Sequence, residues 1–370
     1  MNKYVLKKIL GYSFAILFFV ILIYNLLIPL GFFDNKKTKF GNLVWKFDAQ
    51  SAVVGSPIFD GNNVYIQTET DVLALKSSTG TMIWKTSVLR SSGDTDRHFL
   101  QIKDKILMVF RKESPALALS AETGDILWGN QPIDRDVIDV SVYEDILYEA
   151  RYSSFLTSYA IYSGNINWSS NVPSRTSLYI FPEKDVVYLG TSSGLLAFDA
   201  AKGQVMWEYD LKGLAGGMAK VNNILYLAFI KGECSFAAFD IQSLSYLWCI
   251  PKDNVSALSV INNVLVENNV VYVSGNKLVA VSSDSGNLIW QSETRDNFGP
   301  PVLSNNQMYT QGQSRIYEIS LTTGKGESMF SYPNMYIISW MSRSNIAPVI
   351  INDLILITIK NNLYAYKLNK

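Results

Sequence analysis

The residues with the most reactive side chains are few, and their spacing supports little chemistry. His98 is the only histidine in the chain. A Ser–His–Asp or Cys–His arrangement would have to use it. No Gly-x-Ser-x-Gly elbow is present, however, and neither Cys234 nor Cys249 sits in a nucleophile motif. His98 therefore reads as a solvated or hydrogen-bonded loop residue. One histidine and two cysteines without C-x-x-C spacing exclude the common zinc sites. "GDTDR" (93–97) lacks the further oxygen ligands of a calcium loop and reads as a solvated turn. "NWS" (167–169) and "NVS" (254–256) match the glycosylation sequon, but the first holds a tryptophan of the repeat described next, so both read as chance matches. The expectation is a protein with no catalytic, cofactor or metal residues.

The elements that must position any site are set by a repeat. "TGTMIW" (79–84) returns as "TGDILW" (123–128), "SGNINW" (163–168), "KGQVMW" (202–207) and "SGNLIW" (285–290). Aligned on this phrase, tryptophans fall at Trp45, Trp84, Trp128, Trp168, Trp207, Trp248 and Trp290, spaced 39 to 44 residues apart. A degenerate copy, "TTGKGESMF", puts Phe330 forty residues after Trp290. A period near 40 residues signals a propeller or solenoid. Each unit holds four short runs rich in Val, Ile, Leu and Tyr, broken by Gly, Asn, Asp and Ser, which is one four-stranded blade. Turn residues interrupt every few positions, so no helical period is sustained. Second strands such as "ILYLAF" (224–229) are apolar at consecutive positions, as expected of a sheet covered on both faces.

Within this frame the glycine of the phrase is expected in a tight turn at positive φ. The tryptophan four residues on is expected to dock between blades and donate its indole N–H to a neighbouring carbonyl. Seven units run from residue 52 to about 331. The C-terminal "APVII", "LILITI" and "NLYAYKL" supply three strands, and "GNLVWKFD" (41–48) supplies a fourth from the other end. The sequence thus predicts an all-β, eight-bladed propeller whose last blade is closed by both terminal segments, which removes an exposed sheet edge. Cys234 begins a third strand and Cys249 lies in the fourth, nearly opposite on one face. A disulfide suits them outside the cytoplasm; two buried free thiols are the other reading, and both stay open.

Composition limits the partners. There are 32 basic and 32 acidic residues, and setting aside Lys3, Lys7 and Lys8 leaves 29 against 32. That balance argues against nucleic acid, which demands a basic footprint. Residues 9–33, "ILGYSFAILFFVILIYNLLIPLGFF", carry no charge and exceed the length needed to cross a bilayer. With lysines before them, the N-terminus is expected in the cytoplasm. The expected order is a cytoplasmic N-terminus (1–8), a transmembrane signal anchor (9–33), a polar tether (34–40) and an extracytoplasmic propeller (41–370). A cleaved signal peptide is the alternative.

The A-x-D-x-x-x-G-x-x-x-W form of "LAFDAAKGQVMW" (196–207), with "LALKSSTGTMIW", "LALSAETGDILW" and "LVAVSSDSGNLIW" as variants, resembles the tryptophan-docking motif of quinoprotein-type propellers. The resemblance covers essentially everything after the anchor. One branch holds pyrroloquinoline-quinone-dependent dehydrogenases, which carry a vicinal cysteine pair, a bound Ca²⁺ and a catalytic Asp. Here Cys234 and Cys249 are fifteen positions apart, so the resemblance to that branch stops at the fold. The other branch is similar to the non-enzymatic lipoprotein scaffold of the outer-membrane β-barrel assembly machinery, although no lipid-attachment cysteine stands near the apolar run. That likeness implies partner contacts by a Leu/Arg pair in one inter-blade loop and an acidic pair in the next. Leu89 and Arg90 match the first, Asp134 and Asp136 the second. The loop 332–347 adds Trp340 and Arg343 among Met335, Tyr336, Ile338 and Met341. These types are enriched at interface cores. The loop either contacts a partner or membrane surface or buries itself over the central channel. The expected function is a non-catalytic, membrane-anchored scaffold binding an envelope or membrane protein through its loop face, with no small-molecule ligand. A quinone-dependent oxidoreductase or a cofactor-binding relative is the alternative.

Overall fold

The computed structural model describes residues 41–88, 99–111, 116–129, 137–151, 155–172, 177–211, 214–229, 233–251, 261–312, 315–331 and 346–368. The predicted anchor and tether, His98, and the "GDTDR" turn lie outside them. The described residues form eight four-stranded antiparallel sheets. Seven are continuous in the chain: 53–87, 99–129, 137–171, 177–210, 214–251, 261–291 and 302–331, here blades 1 to 7. Blade 8 is composite. Its strands Val349–Ile351, Leu354–Ile359 and Asn362–Lys367 are followed outward by Leu43–Asp48 from the other end of the chain. Backbone bonds from Gly41 to Lys367 and from Lys367 to Asn42, at 2.8 and 3.0 Å, hold this closure. The predicted eight-bladed propeller is therefore the fold.

One hydrophobic cluster fills each of the eight junctions between neighbouring blades. This explains the second strands: Val64–Thr68, Leu147–Arg151 and Leu225–Phe229 are buried at every position because both their faces meet a neighbour. The docking tryptophans sit in these junctions. The indole N–H of Trp45 donates to Ser77 O at 2.8 Å, Trp84 to Ala121 O at 2.9 Å and Trp128 to Ile161 O at 2.7 Å. Trp168, Trp248 and Trp290 repeat the bond to Ala200, Ser283 and Leu321 at 2.6–2.9 Å.

The glycine does more than accept a positive φ. A Cβ built on Gly80, Gly124, Gly164, Gly203, Gly286 or Gly324 would fall 2.4–2.7 Å from the tryptophan ring of the preceding blade. The indole lies on the bare backbone of the turn, so glycine and tryptophan are one device shared by two blades. The exception supports this. Before Trp248 the glycine position holds Leu244 at φ 52, and Trp207, which packs into that junction, makes no such indole bond among the described residues.

One sequence expectation needs correcting. In blades 1 and 4 the docking tryptophan pairs with the residue six before the turn glycine; in blade 7 that residue is Glu318, which pairs with Glu327 without a bulge. Tyr317 pairs with Ser328, and Phe330 lies two residues farther along the strand opposite Ile316. Blade 7 faces blade 8, whose third and fourth strands come from opposite ends of the chain and share no turn. A tryptophan there would have no glycine to lie on.

A bulge accompanies each docking tryptophan. In blade 1 Leu75 pairs with Met82 and Ala74 with Trp84, leaving Ile83 as the extra residue. Blades 2 to 6 and 8 slip at the same place. Such bulges blunt the outer edge against further strand pairing. They also turn the two residues before the tryptophan outward, so Met82 and Ile83 are 52% and 47% exposed.

Candidate functional site

Because consecutive strands are antiparallel, the connections alternate between the two faces of the disc. One face carries the first-to-second and third-to-fourth hairpins, including every glycine turn. The other carries the second-to-third hairpins and the connections between blades, and is the loop face on which the sequence places its partner residues. Leu89, Arg90, Asp134, Asp136, Trp340 and Arg343 all lie outside the described residues. The strand ends that carry their loops are described. Val88, just before Leu89, donates its N–H to Thr70 O at 2.9 Å, and Ala347 donates to Ser56 Oγ at 2.8 Å.

Around those ends, blades 1 to 3 hold buried charges that the other blades lack at the same register. Arg111 follows the second strand of blade 2 and is 1% exposed. Its guanidinium crosses the junction to donate to the carbonyls of Thr68 and Glu69 in the hairpin of blade 1. Burial lowers its pKa to about 10, against the opposing pull of Asp71 and Glu69. Its Nε has no hydrogen-bond partner among the described residues.

Asp71 opens the third strand of blade 1. Burial alone would raise its pKa. Hydrogen bonds from Thr70 at 2.6 Å and Ser87 at 2.9 Å, with Lys85 Nζ at 3.1 Å, outweigh that and hold the carboxyl below its ordinary value.

The residue of blade 3 at the register of Arg111 is again an arginine. Arg151 Nη2 lies 2.7 Å from Glu149 Oε1, and Tyr159 donates its hydroxyl to Glu149 Oε2 at 2.8 Å. Glu149 is fully buried, and desolvation raises its pKa against the charge of Arg151 and the bond from Tyr159. Nearer the axis, on the innermost strand of blade 3, Asp139 Oδ2 accepts the Ile180 N–H of blade 4 at 2.8 Å. Asp139 keeps some accessible surface, but dense packing around its carboxyl pushes the pKa up to about 7.

This arrangement is suited to holding the strand ends from which the loops leave. Arg111 caps hairpin carbonyls, Arg151 pairs with Glu149, and the carboxylates of Asp71, Glu149 and Asp139 accept from hydroxyls, cations or a backbone N–H. Loop-borne residues on so rigid a base can present a fixed recognition surface. Among the described residues no group of three His, Cys, Asp or Glu side chains is placed to hold a metal ion. Sequence reasoning passed over Asp71, Arg111, Glu149 and Arg151. The available signal was a charge closing an apolar second strand, as in "ILMVFR" (106–111) and "ILYEAR" (146–151).

Cys234 and Cys249 form a disulfide between the third and fourth strands of blade 5, with Cα atoms 5.5 Å apart. Cys234 lies opposite Pro251 and Cys249 opposite Ala237, with a register slip after Cys234.

The family described as Outer membrane protein assembly factor BamB matches residues 36–177, 69–224 and 152–370. No curated protein matches the chain. Among solved structures, BamB from Moraxella catarrhalis is 14% identical with a TM-score of 0.67, covering 89% of this chain and 100% of its own. The computationally designed Ika8 protein is also 14% identical, with a TM-score of 0.70 and the same coverage. The quinohemoprotein alcohol dehydrogenase from Comamonas testosteroni is 13% identical with a TM-score of 0.65, covering 89% of this chain and 76% of its own. At these identities the structural likenesses show the propeller fold alone.

Proposed function

The chain belongs to the family described as Outer membrane protein assembly factor BamB, and on that footing we propose that it is a non-catalytic scaffold that binds another envelope protein through its loop face. The observation that carries this reading is the set of locked charges under the inter-blade connections of blades 1 to 3. It is a structural investment in fixing loops where the sequence places Leu89, Arg90, Asp134 and Asp136. Residues 9–33 anchor the chain in a membrane with a single crossing, and the propeller lies on the extracytoplasmic side. The Cys234–Cys249 disulfide supports that side, since such bonds persist in oxidising compartments. Trp340 and Arg343 belong to the same contact face.

The test is a crosslinking pull-down from native membranes with the full chain. Leu89→Ala with Arg90→Ala, and separately Trp340→Ala with Arg343→Ala, are each expected to lose a crosslinked protein that the wild type recovers. Unchanged recovery of every crosslinked protein by both variants defeats the reading.

The second reading, a quinone-dependent oxidoreductase, draws on the dehydrogenase neighbours. The described residues do not fit that cofactor. They hold no carboxylate cluster for its cation, and the disulfide joins adjacent strands in place of neighbouring cysteines. Alcohol or sugar oxidation on adding quinone, Ca²⁺ and a dye acceptor would restore it.

A further inference from the structure

We propose that the outer rim of the propeller at blades 8 and 1 rests on the surface of the bilayer that the chain's own N-terminal segment enters. The inference rests on the reading of residues 9–33 as a membrane anchor and adds which part of the disc meets the lipid.

The first observation is the exposed apolar pair that the bulge creates before the docking tryptophan of every blade that has one except blade 3, where the second residue is Asn167. Leu43 and Val44 in blade 8 are 41% and 46% exposed, and Met82 and Ile83 hold the equivalent positions in the next blade, blade 1. Such pairs cost free energy in water, and the bulge requires only that the two side chains face outward. Serine or lysine would satisfy that geometry equally.

The second observation is where the chain enters the fold. Leu43 is both the first strand residue after the tether and a member of the apolar rim. The stretch from Phe33 to Leu43, fully extended, reaches at most about 36 Å. Leu43 and Val44 are thus the rim residues nearest in sequence to residues 9–33.

The third observation gives the arc a direction. On the other side of blade 8, blade 7 has Gly326 where Met82 stands in blade 1 and no bulged residue after it, and the next residue is Glu327, so the apolar rim is broken there. Contact spreads from blade 8 toward blade 1, not toward blade 7. A rim-on pose also keeps the hairpin turns, with carboxylates such as Asp60, Glu122 and Asp185, from pressing against anionic lipid. Side chains of this kind settle about 5–10 Å into the headgroup boundary.

The experiment uses the full chain in phosphatidylethanolamine/phosphatidylglycerol vesicles. Both native cysteines are held in the disulfide, so a single added cysteine carries an environment-sensitive fluorophore at Ile83→Cys, Met206→Cys or Val20→Cys. Lipids bearing a nitroxide near the headgroup are expected to quench the label at 83 and leave the label at 206, on the far rim, at its detergent value. Adding Leu43→Ser and Val44→Ser should reduce the quenching at 83. Equal response at 83 and 206, or none at 83, overturns the rim contact. The label at 20 separates the two readings: deep nitroxides should quench it, and failure there overturns the anchor itself.

Discussion

The Trp–Gly layer and the loop face of blades 1 to 3 solve the same problem in opposite ways. Both must join blades whose sheets do not pair strand to strand. The first does so with one device repeated around the ring: an indole laid on a bare glycine turn and bonded to a carbonyl. The second uses charges that differ from place to place: Arg111 on the carbonyls of blade 1, Asp139 on the Ile180 N–H of blade 4, and the Arg151–Glu149–Tyr159 set that stiffens blade 3 itself. A repeat copies whatever every blade needs. What only some blades carry answers to something outside the repeat, and that is why the irregular charges mark the face proposed for recognition.

The comparison breaks if the indole layer is not the main inter-blade tie. Trp168→Ala should lose about 3–5 kcal/mol of stability, the usual range for emptying a large aromatic site. Trp207→Ala should lose about 1 kcal/mol less, because Trp207 makes no indole bond to give up. Urea midpoints of the two variants check this, and equal losses would show that the bond and the glycine bed add nothing. Next in size is the buried pair. Arg151→Met alone leaves Glu149 uncompensated and should cost about 3–5 kcal/mol. Adding Glu149→Gln, which still accepts from Tyr159, should recover a substantial part. No recovery would mean that Arg151 acts through other contacts, as Arg111 does.

The repeated half of the molecule was legible because it is written many times. Seven tryptophans at a regular interval fixed blade number, and the three C-terminal strands without a fourth fixed the closure with Trp45. The irregular half was not legible in the same way. Arg111 and Arg151 stand at the ends of second strands, and nothing local says that one reaches back across a junction to carbonyls more than forty residues earlier. Phe330 stands forty residues after Trp290 but not at the docking register, because blade 7 lacks, at that register, the bulge that the other blades place before the tryptophan. The exposed pairs before each tryptophan looked like ordinary strand interior, since a bulge has no signature in residue type. For the cysteines, the expected strand positions put the two side by side but did not choose between a bridge and two thiols.

Smaller effects separate the two regions further. Replacing Cys234 and Cys249 by serine should cost about 2–3 kcal/mol, the scale for a bridge closing a loop of this length. The loss should appear equally when the wild type is unfolded under reducing conditions. A larger loss in the variant than in the reduced protein would place the effect in packing of the new hydroxyls.

The last contrast is in pH. Asp139 titrates near 7 in the folded protein against an ordinary value of 3.8, so the folded state holds its proton more tightly. The stabilisation this gives is fully present below about pH 4 and is lost as the pH rises through about 7. Asp71 has the opposite sign. Its folded pKa lies below the ordinary value, so its contribution is present above that value and lost as the pH falls through the lowered one. Asp139→Asn should therefore be more stable than wild type at about pH 8 and converge with it at about pH 4. Asp71→Asn should be less stable at about pH 8 and converge only in stronger acid. The effect at Asp71 is the smaller one, because Lys85 is 41% exposed and solvent screens its charge. Urea midpoints of both variants across this range would tell whether the axial carboxyl carries a proton that the loop-face carboxyl does not. Parallel curves would mean that Asp139 is ionised at neutral pH, held by the Ile180 N–H in spite of its surroundings.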